Sequence, residues 1–394
     1  MICSIHINGF KSIVAQSIEL GRVNCFIGAN GVGKSNVLEA IGVLSAAANG
    51  RVDDEALLRR GVRPGVPRLY KTSFESGDVP VHIALTAKGD DAEGTLYRVS
   101  LLNPLENPEP AWSFKTERLV DGGHEIVSDG VRNKRNLTPT SGLAALKMVE
   151  LEPDSKAARL MRRLQDFAIY SPNTPTLRAM VSDTQSRSPV GLSGGSLADG
   201  FAEFSKSILD QDDALRDSVF ELVDWVADIQ TTSSAAALLS PSVARTRDVL
   251  RFTDRFMKRS RNTLTAYDAS EGALYVLFTA ILCLSPHAPK MFAIDNLDQA
   301  LNPRLVGQLT KCLSAWLARD GGQRQLLFTA HNPAVLDGLD LRDPETRLFA
   351  VERNSDGHTV VRRITLNQEL LAMNAEYPLS RLWLMGNLGA MPNV

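Results

Sequence analysis

The chain has 394 residues, 44% of them hydrophobic and 22% charged, with a net charge of −2. That length accommodates about two or three domain-sized units with a sizeable core, and the near-neutral balance excludes the broad positive field that gathers nucleic acid non-specifically. The longest nearly unbroken apolar run, 273–284, is shorter than the roughly 20 residues of a membrane span, and the start MICSIHINGF lacks the basic, apolar and small-residue pattern of a signal peptide, so a soluble, cytoplasmic protein without membrane contact is expected.

Residues 1–27 predict two strands around a turn, one alternating over 2–7 and one a buried run, Val23-Asn24-Cys25-Phe26-Ile27, that ends at glycine. Gly28-Ala29-Asn30-Gly31-Val32-Gly33-Lys34-Ser35 follows and satisfies GxxxxGK[ST]. Val37, Leu38, Ile41 and Leu44 then repeat at helical spacing, so the motif lies between a strand and a helix as a phosphate loop requires. Glycines let the backbone turn successive N–H groups toward phosphate oxygens, and the start of the helix adds its positive end. Lys34 is the candidate ligand of the β- and γ-phosphates and Ser35 of Mg²⁺, with ATP the expected nucleotide.

Residues 66–130 read as strand-like pieces broken by Gly, Asp and Pro. From about 140 to 265 the pattern becomes helical, notably at 157–164 and 217–229, as if a helical block were inserted into one nucleotide-binding domain. Inside it, Leu192-Ser193-Gly194-Gly195-Ser196 is one residue away from the LSGGQ signature of ABC-type ATPases. It lies about a hundred residues before the acidic strand described next and is read as a turn plus a serine cap. Arg251, Arg255, Lys258 and Arg259 would share a helix face, accompanied by Arg245, Arg247 and Arg261; that face and the patch Arg132-Asn133-Lys134-Arg135 are either solvated or in contact with nucleic acid or an acidic partner.

Ser270 is a good N-cap for the apolar helix that begins near Ala273, and its hydroxyl, the free N–H groups of Glu271 and Gly272 and the helix dipole form an anion site. Met291-Phe292-Ala293-Ile294 is an apolar strand closed by Asp295, the candidate Mg²⁺ carboxylate, and followed by Asn296. An amide hydrogen-bonds a water but cannot take its proton, and general-base help is worth roughly 10²–10⁴-fold in rate. Three consequences stay open: slow hydrolysis, help to the water from Asp298 or His331, or binding without turnover. A further apolar strand, 325–330, ends in His331, a candidate γ-phosphate sensor, and 347–351 is a last strand candidate. Cys3, Cys25, Cys283 and Cys312 have no metal-like spacing and are read as reduced core residues.

Ile27 to Asn36, then Asp295 with Ala300-Leu301-Asn302-Pro303, then Thr329-Ala330-His331-Asn332-Pro333, resemble the ABC-class AAA ATPases of the SMC, RecF and OLD type in both order and spacing. The resemblance implies an α/β fold, a P-loop NTPase ABC-type head with an inserted mainly helical subdomain: 1–140 the first half of the head, 141–265 the insertion, and 266–394 the second half. It implies catalytic roles for Lys34, Asp295, Asn296 and His331, nucleotide contacts from Asn30 through Asn36, and Mg²⁺ held by Ser35 and Asp295. It also implies two ATP molecules sandwiched between two heads, with Ser270 and Gly272 in the signature of the opposite subunit.

This sequence departs from the family pattern where Asn296 replaces a glutamate, where no glutamine between 36 and 163 serves a Q-loop, and where long coiled coils are missing. No DxD follows Val351-Glu352-Arg353-Asn354, so nuclease chemistry in this chain is not expected. The expected function is that of a slowly hydrolysing ATPase, pairing as a homodimer or higher oligomer, which regulates a separately encoded effector in bacterial antiphage defence. The alternatives are a RecF-like clamp on DNA and a nucleotide-binding scaffold with negligible turnover.

Overall fold

The computed structural model describes residues 1–75, 77–91, 94–127, 139–183, 185–233, 248–319 and 321–390. Its first strands are β1 (Ile2–Phe10), β2 (Ile13–Glu19) and β3 (Val23–Ile27). The start of the chain therefore holds three strands rather than the expected two, because 13–19 also alternates and pairs back on β1 around a tight turn at Lys11 and Ser12. Strands β4 (His82–Gly89), β5 (Leu96–Leu102), β6 (Ser113–Asp121) and β7 (His124–Val127) join that hairpin in an antiparallel sheet of order β2-β1-β4-β5-β6-β7.

A second sheet contains β3, β8 (Ile169–Tyr170), β12 (Met291–Ile294), β13 (Gln325–Ala330), β14 (Thr346–Arg353) and β15 (Thr359–Ile364), in the order β15-β14-β3-β13-β12-β8. All pairs in it are parallel except β14 with β15. Cys25 and Ile27 enter one hydrophobic cluster and Phe26 the other, so both faces of β3 are covered. This two-sided burial is why these strands read as continuous apolar runs. Phe26 stacks on Phe349 of β14 with ring centroids 4.9 Å apart and planes 14° from parallel.

The helix Lys34–Ala48 is buried along nearly its whole length between the two sheets. The helix Glu271–Leu284 is buried from Ala273 onward on the other face of the parallel sheet. Within 141–265, the helices Lys156–Asp166, Leu197–Ser207 and Asp213–Phe220 alternate with β8, which is an edge strand of the parallel sheet, and with a separate sheet of β9 (Val226–Thr232), β10 (Val249–Asp254) and β11 (Thr263–Thr265).

Two helical expectations fail there. The stretch 217–229 is helical only to Phe220, because Val226 and Ile229 are buried on a strand paired with β10. Arg251 lies in β10 between Gln230 and Thr265 rather than on a helix, and Arg255, Lys258 and Arg259 follow in the turn toward β11. Arg245, Arg247 and residues 132–135 lie outside the described residues. The four cysteines are free thiols, and among the described residues no helix is long and apolar enough to cross a membrane.

Truncating Phe26 to alanine removes the ring stack at the centre of the parallel sheet. The expected cost is about 3–5 kcal/mol of folding stability, read as a lowered urea midpoint with an unchanged slope.

Candidate nucleotide-binding site

The phosphate loop leaves β3 at Gly28, where a Cβ would sit 2.2 Å from the carbonyl oxygen of Val351. At Gly33, with φ of 106°, a Cβ would sit 2.3 Å from Thr359 Oγ1. Both glycines are therefore required by the close approach of β14 and β15. A directed chain of hydrogen bonds fixes the loop's outer side: Asn36 Nδ2 donates to Ser12 Oγ (2.7 Å), Ser12 pairs with Thr359 Oγ1 (2.6 Å), and Thr359 donates to the Val32 carbonyl (2.6 Å). Arg353 Nε donates to the Gly31 carbonyl at 3.1 Å. Asn30 and Gly31 are exposed at the crest, and the first N–H groups of the following helix have no partners within it.

Lys34 is buried, 5% exposed, and its ammonium donates to the carbonyls of Gly28 and Ala29, both at 2.8 Å. Burial lowers its pKa to about 8, against the opposing pull of Asp295 and Asp298. Ser35 Oγ lies 3.0 Å from the Asp295 carboxylate and donates to it. Thr329, two residues before His331, donates to Asp295 Oδ1 at 2.6 Å and accepts the Asn296 N–H at 2.8 Å. A hydroxyl and a carboxylate meeting at the start of a helix are oxygen donors of the kind Mg²⁺ takes together with phosphates. The donor set therefore fits the expected ion.

Asn296 has a left-handed backbone, φ 58°, which asparagine tolerates better than most residues. Its Oδ1 lies 3.1 Å from His331 Nε2, while Lys34 Nζ lies 3.4 Å from Nδ1. An amide oxygen on one side and an ammonium on the other assign the neutral ring with its proton on Nε2. Burial first, and then the Lys34 charge, lower the pKa of His331. Asp298 accepts the backbone N–H of His331 (2.8 Å) and that of Asn332 through one oxygen. It thereby holds the histidine segment in place.

Lys34, Ser35, Asp295, Asn296 and His331 are thus brought together within one chain. Ser270 and Gly272 are not: among the described residues no hydrogen bond joins them to the phosphate loop. Ser270 caps the helix Glu271–Leu284, its Oγ accepting the Ala273 N–H at 3.4 Å, and a Cβ at Gly272 would meet Leu305 at 3.2 Å.

Leu192 to Ser196 form a loop whose glycines serve local packing. A Cβ at Gly194 would strike Leu177 at 2.3 Å and one at Gly195 would strike Asp183 at 2.5 Å, and Asp183 Oδ2 accepts the Ser193 and Gly195 N–H groups. Ser196 precedes the helix Leu197–Ser207 but makes no side-chain cap bond, so the expected serine cap is not formed.

Sequence reasoning missed Ser12, Thr329, Arg353 and Thr359. Thr329 lies within the strand 325–330 and in the motif that ends in His331, where its role could have been found, whereas Arg353 and Thr359 reach the loop from more than three hundred residues away and leave no local pattern.

The family model described as "AAA domain, putative AbiEii toxin, Type IV TA system" matches residues 23–337, most of the chain. The chain belongs to this family. It is an ABC-class AAA ATPase of the SMC and RecF type. A solved SMC head, crystallised with the C-terminal winged-helix domain of ScpA, superposes with a TM-score of 0.53 at 14% identity, covering 93% of this chain and 98% of that one; this likeness concerns the fold. The DNA replication and repair protein RecF of Porphyromonas gingivalis is 38% identical over 81 residues, and that of Corynebacterium jeikeium 29% over 93 residues. These matches span 20% and 23% of this chain and 22% and 21% of the relatives, so the chain covers about a fifth of their length.

The lowered pKa of Lys34 gives this AAA-family site a pH signature. The unliganded amine sheds its charge as pH rises through about 8, and phosphate binding requires the charged form. Affinity for a fluorescent ATP analogue is expected to fall above that pH by up to roughly tenfold per unit; a flat profile from pH 7 to 9.5 would count against Lys34 as the phosphate ligand.

Proposed function

We propose that this chain is a slowly hydrolysing ATP switch, in which two copies close on ATP and reopen when it is spent. The observation that carries the reading is the separation of parts: phosphate loop, Asp295 and His331 meet in one chain, while the capped helix with Ser270 makes no hydrogen bond to them among the described residues. Lys34 and the loop N–H groups bind the phosphates, Ser35 and Asp295 hold Mg²⁺, and Thr329 orients Asp295. Bound Mg²⁺ supplies positive charge at the phosphate oxygens. A cleft of about 480 Å³ beside the helix start, lined by Lys11, Asn36, Arg63, Tyr70, Phe74 and Arg353 among others, has room for the nucleoside. In the same reading the head is made of 1–140 and 266–394 together with β8, which completes its parallel sheet from within 141–265, and the rest of 141–265 is inserted between them.

Asn296 sets the clock. Its amide holds His331 and can orient a water, but it takes no proton, so the closed pair outlasts that of an enzyme with a carboxylate here. Persistence suits a regulatory subunit: ATP shifts the population to the closed form, and hydrolysis or a trigger releases it. The same reading places the switch in bacterial antiphage defence, where it would restrain or license a separately encoded effector in the cytoplasm; the family's description names a putative toxin and a toxin–antitoxin system and goes no further. The RecF relatives support a second reading, contact with DNA. Its candidate surface is the turn between β10 and β11, where Phe256 is 78% exposed beside Lys258, Arg259 and Arg261. A steep salt dependence of DNA affinity, lost on charge reversal at Lys258 and Arg259, would favour it.

Replacing Asn296 with glutamate is expected to raise steady-state ATP turnover at least tenfold; unchanged turnover would refute the account of slow hydrolysis. Ser270→Arg is expected to abolish ATP-driven dimerisation in sedimentation velocity, whereas Ser193→Arg, in the LSGGS loop, leaves it intact.

A further inference from the structure

Neither Phe74 nor His358 belongs to a sequence motif of the nucleotide site, yet the fold brings their rings together, with centroids 4.5 Å apart and planes 57° to each other. Phe74 lines the cleft of about 480 Å³ beside the start of helix Lys34–Ala48. Both residues are half-buried. An aromatic pair that served only the core would be closed off, whereas this one keeps accessible surface at the rim of a cleft.

Three turns converge there, and hydrogen bonds fix each to the next. The segment leading to Phe74 is held on the β1–β2 hairpin: Lys11 N–H donates to the Tyr70 carbonyl (2.7 Å), Thr72 N–H to the Gly9 carbonyl (3.1 Å) and the Thr72 hydroxyl to the Ile13 carbonyl (3.2 Å). The β14–β15 turn that carries His358 is held on the same hairpin, where Thr359 N–H donates to the Ser12 carbonyl at 2.7 Å. Within that turn the Asn354 side chain accepts the Asp356 and His358 N–H groups at 3.1 and 2.9 Å. Arg353 then spans from the turn to the phosphate loop, with Nη1 on the Gly357 carbonyl and Nε on the Gly31 carbonyl, both at 3.1 Å. The two rings are thus placed one arginine side chain from the crest of the loop. A nucleoside covers a span of that kind between its phosphates and its base.

We propose that Phe74, backed by His358, is the platform on which the base of the bound nucleotide stacks, and that this contact makes the site prefer purine nucleotides. Stacking on an aromatic face is open to every base, and its strength grows with the face the base presents, which is larger in a purine. The inference rests on the ATP-binding reading above and adds to it the side chain that recognises the base.

Isothermal titration of the full chain with ATP, with CTP and with inorganic tripolyphosphate, each with Mg²⁺, tests it. Phe74→Ala is expected to weaken ATP binding by about fivefold or more, while the affinity for tripolyphosphate, which has no base, stays that of the wild type. That unchanged affinity also reports that the variant is folded. The variant is expected to lose the wild type's preference for ATP over CTP, and Phe74→Tyr to keep it. An equal loss for ATP and tripolyphosphate would mean that the ring only supports the loop, and would overturn the proposal. So would a Phe74→Ala chain that still prefers ATP to CTP, a Phe74→Tyr chain that does not, or a wild type that binds tripolyphosphate as tightly as ATP. A wild type that binds neither ATP nor tripolyphosphate would instead overturn the nucleotide reading itself.

Discussion

The site depends on three neighbouring parallel strands whose carboxyl ends fall within two residues of one another. β3, β13 and β12 are neighbours, and their registers bring Ile27 beside Ala330 and Ile294 beside Phe328. One step beyond these ends lie the phosphate loop, His331 and Asp295. Ligand sites in open α/β sheets form at such carboxyl edges because the loops there converge. What keeps this edge in register is burial: all of β3, β12 and β13 is buried, and a one-residue slip would exchange the side chains feeding the two hydrophobic clusters. The geometry of Ser35 with Asp295 is thus set by apolar packing two or three residues away.

Much of this was legible in the sequence. The phosphate loop, the acidic strand and the histidine strand each combine an apolar run with a chemically distinctive end, and a run of that kind folds locally. The cap at Ser270 was legible for the same reason. The support of the loop was not, because Ser12, Arg353 and Thr359 come from two distant hairpins and nothing in their immediate neighbourhood marks them. The arginines of 251–259 misled because positions four apart share a helix face only if a helix exists. Here the buried side chains of Val249, Leu250 and Phe252 draw the chain into a three-stranded sheet. The left-handed turn at Asn296 was also invisible, although the residue type is one that accepts it.

Asn296 shows how identity and conformation reinforce each other. The positive φ turns the chain away from β12 immediately after Asp295, so that Asp298 comes back to accept the N–H groups of His331 and Asn332. The amide side chain then meets the ring of the same histidine. The strand end, the turn and the histidine segment are one hydrogen-bonded unit, and a change at any member moves the others.

The resting position of Lys34 bears on which nucleotides the loop accepts. With its ammonium on the carbonyls of Gly28 and Ala29, the loop keeps its shape through its own bonds, and a ligand need not fold it. To draw the lysine away, an incoming molecule must offer oxygens at least as good as two carbonyls. A nucleoside with a single phosphate that does not reach the amine leaves it where it is and gains nothing from the strongest charge in the cradle. In the proposed reading, discrimination by phosphate count is then built into an exchange of partners at Lys34.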